Sequence, residues 1–589
     1  MSSVPPSSSP PANERDRLFL DNGSRVAVIG GGPAGTFFTY FLLEMAERIG
    51  MELAVDIYEP RDFTKTAPHG CNMCGGIVSE SLVQLLATEG INLPSSVVQR
   101  GIDSYVLHMD VGTVRIEPTH REKRIAAVYR GGGPRGSVDS RWHSFDAHLL
   151  ELARGRGAQV RRERVDGIDR NGGKPRVTTK QGTSDGYDLL VGAVGVNTGA
   201  LKLFEEMGAG YRAPGTTKTY ICELFLGEKT IKTYFGNSMH MFLLNLPRLE
   251  FAALIPKGDY VTMVMLGTGI DKALVESFFS TPEVLKCFPA DWSPPADSCR
   301  CSPAINISAA VKPFADRMVL IGDSGVSRLY KDGIGGAYRT AKAAARTAVF
   351  EGVSEEDFRK GYLPVCRALS VDNGIGKVVF GITSLIQKTT PLRRGLLRMT
   401  AAEQESRKWQ PRMSDVLWDT FTGSAPYKDV FRRSLHPVFL TRLLYETSAG
   451  MLPERREGWK KEEKVPFGKM GELGKVYNSG EIIVRQGDVG ECMYFIQAGK
   501  VEVIRESDGK DVKLAELGQG EFFGEMALFE KGVRSATVRP LGEVRVLSVD
   551  KRLFLRKIHE DPALAFRIMQ KMSRRIRDLD KELGALRSE

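Results

Sequence analysis

Near its start the chain runs Arg25-Val-Ala-Val-Ile29, turns through Gly30-Gly-Gly32-Pro-Ala-Gly35, and enters a helical pattern from Thr36 to Ile49. That order leaves few folds open. Five apolar-rich residues bounded by glycines read as a buried strand rather than a helix. Gly-x-Gly-x-x-Gly then allows a tight turn, close approach of the backbone to a pyrophosphate, and close helix–strand packing. A second apolar strand, 53–58, ends at Glu59, 24 residues after Gly35 and placed to take ribose hydroxyls. The unit is βαβ, so a parallel sheet covered by helices is expected. The glycines alone fit an NAD site as well as an FAD site.

A chain of 589 residues is too long for one core and implies about three to four domains. The net charge of +10 favours anionic ligands or an anionic surface. It does not choose among dinucleotides, cyclic nucleotides, prenyl diphosphates and acidic lipids. Nucleic acid is not expected, since there is no recognition motif and no dense Lys/Arg block. Residues 1–20 read as a disordered tail, because the Ser/Pro-rich start has neither a basic n-region nor an apolar h-region. No apolar run approaches the roughly 20 residues that span a bilayer. Eight sparse cysteines fit reduced thiols, so a cytoplasmic location is expected, with contact at the inner membrane surface as a variant.

The fold class expected is α/β. A Rossmann-like dinucleotide domain spans 21–350, with a helix over 336–350 and an antiparallel substrate domain inserted at about 95–130 and 210–310. Residues 351–452 form a helical extension and 453–466 a charged linker. Residues 467–589, with short strands between glycines, read as a small β-roll followed by a C-terminal helix after Pro562.

Two further stretches decide the cofactor. Asp316 to Ala337 contains a strand ending in Gly322-Asp323, then a Gly-bearing loop and a helix. It resembles the second FAD motif of the para-hydroxybenzoate-hydroxylase-like flavoproteins. Tyr187-Asp-Leu-Leu-Val-Gly-Ala-Val-Gly195 resembles their middle motif, with Val194 where an acidic residue is usual. The resemblance implies FAD, with Asp323 on the ribityl chain and Gly333-Ile334-Gly335 presenting backbone N–H groups to the flavin carbonyl edge. Gly30, Gly32, Gly35, Glu59 and Gly322 complete the expected FAD set.

His69-Gly-Cys-Asn-Met-Cys74-Gly-Gly resembles the Cys-Gly-Gly loop of geranylgeranyl reductases. Ser144-Phe-Asp146 and Phe251-Ala-Ala-Leu-Ile-Pro-Lys-Gly-Asp259 resemble segments of the same group, although Arg141 is one residue out of place. Where those reductases carry aromatics facing an isoprenoid, this chain has Ala253 and Ile255. The chemistry implied is hydride transfer from reduced flavin to an alkene of a small-molecule or lipid substrate. Cys74 is the candidate proton donor, or a small polarisable wall. Electrons would come from NAD(P)H docking transiently or from a ferredoxin-like donor, because there is no second Gly-x-Gly-x-x-Gly. A flavin-dependent monooxygenase is the rival enzyme class. A signalling protein with FAD as a non-catalytic or sensing cofactor is the rival of another kind; a halogenase is disfavoured by the lack of its Trp-rich signature. Cys71-x-x-Cys74 and Cys299-x-Cys301 raise a four-sulfur site, but the spacing is unusual and the histidines form no ligand pattern, so no metal is expected.

At the other end, Phe523-Gly-Glu-Met-Ala-Leu-Phe-Glu-Lys-Gly-Val-Arg-Ser-Ala-Thr-Val538 is built for one anionic ligand. Gly524 permits close approach, Glu525 can accept from a ribose 2'-hydroxyl, and Arg534 can fork onto a phosphate, with Ser535 beside it. The segment resembles the phosphate-binding cassette of cyclic-nucleotide-binding domains such as those of catabolite activator protein and kinase regulatory subunits. Ser535, rather than Thr, implies cAMP before cGMP. Met569, Met572, Ile576, Leu579, Leu583 and Leu586 form an a/d seam, consistent with a homodimer or with a helix folded on its own β-roll. Residues 376–400 mix apolar and basic positions; they could lie on an anionic membrane or pack against the flavin domain.

Overall fold

The computed structural model describes residues 18–118, 122–137, 143–170, 173–295, 297–405, 413–450, 472–507, 510–529 and 533–551, with scattered positions from 554 to 580. The chain forms two compact units. The first comprises residues 1–79, 96–119 and 127–463; the second comprises 80–95, 120–126 and 464–589. Two stretches expected inside the dinucleotide domain thus group with the C-terminal one.

In the first unit a six-stranded sheet runs in the order Phe314–Ala315, Met318–Leu320, Leu189–Gly192, Arg25–Ile29, Ala54–Tyr58, Gln159–Arg161. Arg25–Ile29 pairs in parallel with both neighbours, Val28 lying between Ile57 and Val191. Continuous apolar strands are what a sheet buried on both faces requires. The helices Pro33–Arg48 and Gly333–Phe350 pack together through Phe37, Phe41 and Tyr338, edge to face. The second helix begins three residues earlier than expected, so Gly333-Ile334-Gly335 is its first turn rather than a loop.

The inserted sheet is eight-stranded, with Thr216–Phe225, Tyr260–Gly267, Leu249–Pro256 and Ser238–Phe242 adjacent, then Ser104–Met109 and Gly112–Ile116. Period-two alternation splits it cleanly. Cys222, Leu224, Ala252, Leu254, Met263 and Met265 point into a closed core with Phe242 and Phe278. Ile221, Phe251, Ala253, Ile255, Val264 and Leu266 face a cavity on the other side.

Helices follow one another from Glu355–Gly361 through Pro437–Ala449. Leu363–Lys388 corrects one expectation: by length and composition it is a helix apolar enough to cross a membrane. Its polar residues nevertheless fix it to its neighbours. Asp372 accepts from the N–H groups of Tyr427 and Lys428, and Asn373 from that of Leu329. Arg393 and Arg398 are engaged with Asp110 and Glu446 at 2.8 and 3.2 Å. Val371, Val378, Ile382 and Leu385 remain exposed.

In the second unit, the strands Lys475–Tyr477, Thr537–Asp550, Cys492–Ser507 and Lys510–Leu517 form the β-roll around Ile496, Val501, Val538, Val544 and Val546. Gly499, at φ +82°, sits where the register shifts, and a Cβ there would lie 2.4 Å from the Glu543 carbonyl. Arg124 is buried in this unit and pairs with Glu80, Glu122 and Asp550, each at 3.0 Å. Met569 and Ile576 are exposed, whereas Leu579, Leu583 and Leu586 of the expected seam lie outside the described residues.

Candidate functional site

The turn after the first strand is shaped by its glycines in different ways. A Cβ on Gly30, at φ +106°, would stand 2.4 Å from the Ala193 carbonyl, and one on Gly35 would stand 2.0 Å from the Gly30 carbonyl. Gly35 therefore serves helix–strand packing. Gly32 meets nothing nearer than 3.6 Å and borders the cavity, so its backbone is open to a ligand. Glu59 closes the turn: its Oε2 accepts from Gly31 N at 3.0 Å and its Oε1 from Arg61 N at 2.9 Å.

A cavity of about 730 Å³ starts here. It runs past Glu59 and Val194 to Asp323, Gly333 and Ile334, and opens on the apolar face of the inserted sheet, where Phe421 of the helical extension forms part of the wall. Gly322, at φ +60°, stands where a Cβ would come 2.6 Å from that of Ala34, which brings strand end and first helix together. Gly335 has Asp332 carboxylate oxygens 2.3 Å from its would-be Cβ, so it packs rather than lines the cavity. Burial raises the Asp323 carboxyl above the usual carboxylate range, against a Ser327 hydrogen bond and the Arg130 charge.

Sequence reasoning missed the polar floor of this cavity. Asp146, fully buried, accepts from Arg130 Nη2 and from Asn72 Nδ2, both at 2.9 Å, and Asn72 in turn accepts from Arg61. Burial alone would lower the Arg130 guanidinium, yet Asp146 and the Cys74 thiol hold it above its ordinary value. The chain Glu59–Arg61–Asn72–Asp146–Arg130–Cys74 so joins the glycine turn to the Cys-Gly-Gly loop. Cys74 lines the cavity, its Sγ accepting from Gly76 N at 3.4 Å. Gly76 is obligatory at φ +70°, with the Val128 carbonyl 2.0 Å from a Cβ. The only advance signal for Arg130 was its place before Gly131-Gly-Gly133, since the partners lie 16 and more residues away in the chain.

Lys331 was also missed. It lines the cavity with Nζ 3.9 Å from the Phe251 ring centroid, and burial lowers its ammonium to about 7. Arg328 and Asp332, both buried and 3.5 Å apart, anchor its loop; Arg328 also donates to the carbonyls of Gly423 and Ala425. Cys71 and Cys74 do not converge with Cys299 and Cys301 on a ligand set. Among the described residues the single His/Cys/carboxylate group that could hold a metal is His108, His240 and Cys287.

In the β-roll, Gly524 has φ +79° and a Cβ there would lie 2.5 Å from Arg534 Nη1. Arg534 is buried; Nη1 donates to the Gly524 carbonyl at 2.8 Å and Nη2 to the Cys492 carbonyl at 2.7 Å. Its guanidinium lies 5.7 Å from the Tyr494 ring centroid. Glu525 is buried and Ser535 exposed, its hydroxyl 3.7 Å from Met526 Sδ. Glycine, carboxylate, guanidinium and hydroxyl thus gather at one end of the roll.

Residues 474–561 match the family model of the cyclic nucleotide-binding domain. The cyclic AMP receptor protein of Thermus thermophilus is 35% identical over 113 residues, 19% of this chain and 52% of that protein. The cAMP-dependent protein kinase type II regulatory subunit of Drosophila melanogaster is 32% identical over 176 residues, 30% of this chain and 43% of that protein. The chain spans about half the length of the curated relatives it matches. Among solved structures, a point mutant of the halogenase PltM in complex with FAD is 13% identical with a TM-score of 0.48, covering 73% of this chain and 96% of the halogenase. A 2-methyl-3-hydroxypyridine-5-carboxylic acid oxygenase is 14% identical with a TM-score of 0.44, covering 62% and 93%. The chain carries a C-terminal cyclic nucleotide-binding domain.

Proposed function

We propose that the chain is an FAD-dependent oxidoreductase, an alkene reductase for an isoprenoid or other lipid-like substrate, whose activity is set by cyclic nucleotide, cAMP before cGMP. One observation supports the enzyme reading above all. A single cavity links the glycine turn, Glu59 and Asp323 to an apolar sheet face presented by Ala253, Ile255 and Val264. FAD fits the donor set: open backbone at Gly32, a carboxylate at each expected hydroxyl position, and N–H groups at the first turn of Gly333–Phe350.

When bound, FAD supplies hydride chemistry. The chain's own residues do the rest. Gly32, Pro33 and Ala34 would hold the pyrophosphate, Glu59 the ribose, Asp323 the ribityl chain, and Gly333 with Ile334 the ring edge. Ala253 and Ile255 would leave room for substrate where aromatic rings would fill it. Cys74, whose Sγ accepts from Gly76 N at 3.4 Å beside Arg130, would be the proton donor. NAD(P)H or a ferredoxin-like protein would deliver the electrons.

For the regulation, the support lies in chain continuity. The second unit takes in Glu80 directly after Ser79, whose hydroxyl donates to Asp332 at 2.8 Å in the first unit, and it returns at Ala126, four residues before Arg130. Nucleotide bound at Gly524, Glu525, Arg534 and Ser535 can shift the flavin site only by its differential affinity for two states.

The reading is tested on the FAD-loaded full chain with an alkene substrate panel under anaerobic reduction. Saturation of an alkene without oxygen is expected; product formed only with oxygen, carrying a new hydroxyl, means a monooxygenase instead. Equal flavin reduction rates and substrate affinities with and without saturating cAMP would remove the regulatory part.

A further inference from the structure

On the closed side of the inserted sheet three potential ligand atoms meet. His108 Nε2 and His240 Nδ1 are 3.1 Å apart, His240 Nδ1 and Cys287 Sγ 3.3 Å, and Cys287 Sγ and His108 Nε2 3.8 Å. We propose that His108, His240 and Cys287 bind one structural zinc ion.

The triangle has the dimensions of one face of a tetrahedral zinc site. Bonds of about 2.05 Å to nitrogen and about 2.3 Å to sulfur give edges of about 3.3 Å between nitrogens and about 3.6 Å between nitrogen and sulfur. Hydrogen bonds serve the same triangle poorly. A proton lies on the line between two atoms, and each of these three atoms closely approaches both others. A cation at the centre serves all three at once. The outer contacts fit as well. His108 Nδ1 lies 3.2 Å from Thr113 Oγ1, which fixes the ring and leaves Nε2 directed at the centre, the arrangement ligating histidines ordinarily have.

Three separate elements supply the ligands. His108 and His240 sit on the paired strands Ser104–Met109 and Ser238–Phe242, and Cys287 follows the helix Pro282–Leu285. Met239 faces the cavity, so its neighbour His240 faces away from it. The ion would therefore lie beneath the sheet, walled by Phe242 at 4.6 Å from the His108 ring and Phe235 at 4.8 Å from the His240 ring. Its role there is to staple the strands that carry the substrate wall, not to take part in chemistry. Binding converts the thiol to a thiolate and releases one proton.

The test uses the FAD-loaded full chain expressed in zinc-supplemented medium. Elemental analysis is expected to give about one zinc per chain. X-ray absorption at the zinc edge is expected to show one sulfur at about 2.3 Å and two nitrogens at about 2.0 Å among the ligands. The variants Cys287→Ser and His108→Gln should each lose most of the metal, while Cys71→Ser and Cys74→Ser keep it. Should the ligand variants fail to fold, the wild-type absorption spectrum decides by itself. Three results overturn the proposal: absence of stoichiometric metal, a metal shell without sulfur, or zinc retained in both ligand variants, the first leaving a hydrogen-bonded triad in which the thiol donates to the Glu283 carbonyl at 3.5 Å.

Discussion

Replacing Asp146 by Ala tests whether the polar floor holds the cavity together. The carboxylate is fully buried and accepts three hydrogen bonds, two from Arg130 and one from Asn72. Alanine removes all three and leaves the Arg130 guanidinium buried without its counter-charge. Breaking a buried pair by removing one partner costs about 3–5 kcal/mol. For a unit of roughly 440 residues, an unfolding entropy of about 2.1 cal/mol/K per residue gives about 0.9 kcal/mol/K. The expected fall in Tm is therefore about 3–6 °C, read by thermal unfolding of the full chain. Asn72 and Arg61 lose their anchor in the same step, so retained FAD should fall as well. Asp146→Asn keeps one acceptor and should lose less in both readouts. A Tm for Asp146→Ala within 1 °C of the parent, with full FAD content, would refute the reasoning.

Arg534→Ala should weaken cAMP binding by calorimetry about 100-fold, because charge-assisted bonds to a phosphate outweigh the two carbonyl bonds by about 3 kcal/mol; a loss under threefold would take Arg534 out of the site. Lys331→Met addresses pH. The ammonium is lowered to about 7 from its ordinary 10.5, so its burial costs nothing above that ordinary value, increasingly more as pH falls towards 7, and a constant amount below. The Tm advantage of Lys331→Met should thus grow as pH falls across that window, and an advantage independent of pH counts against a buried lysine. Ala253→Trp, projecting into the cavity from the sheet, should leave FAD content unchanged and abolish turnover of large apolar substrates; unchanged kcat/KM would move the substrate elsewhere.

How much could be read in advance follows from range. The strand–turn–helix at 25–48 was legible because its glycines, apolar run and helix are contiguous, and local rules fix such a unit. The same holds for the cassette at 523–538, whose candidate residues all fall between positions 524 and 535. The first turn of Gly333–Phe350 was misread as a loop because three glycines in four positions argue against helix propensity; packing against Pro33–Arg48 overrides that.

Arg130, Lys331 and the His108–His240–Cys287 triangle were not legible, since their partners are brought from far along the chain. His108 and His240 are 132 residues apart and carry no spacing signature, yet pairing of two strands sets their rings 5.0 Å apart. Alternation within a strand was readable, but which face would border a cavity and which a closed core was not. By itself the sequence determined a dinucleotide fingerprint and a cyclic-nucleotide cassette, because turns, glycines and neighbouring charges act over a few residues. The tertiary structure decided what surrounds them: the buried Arg130–Asp146 pair, the apolar sheet face that lines the cavity, and the grouping of residues 80–95 and 120–126 with the C-terminal unit. Those depend on burial and on contacts between distant segments, which only the folded chain creates.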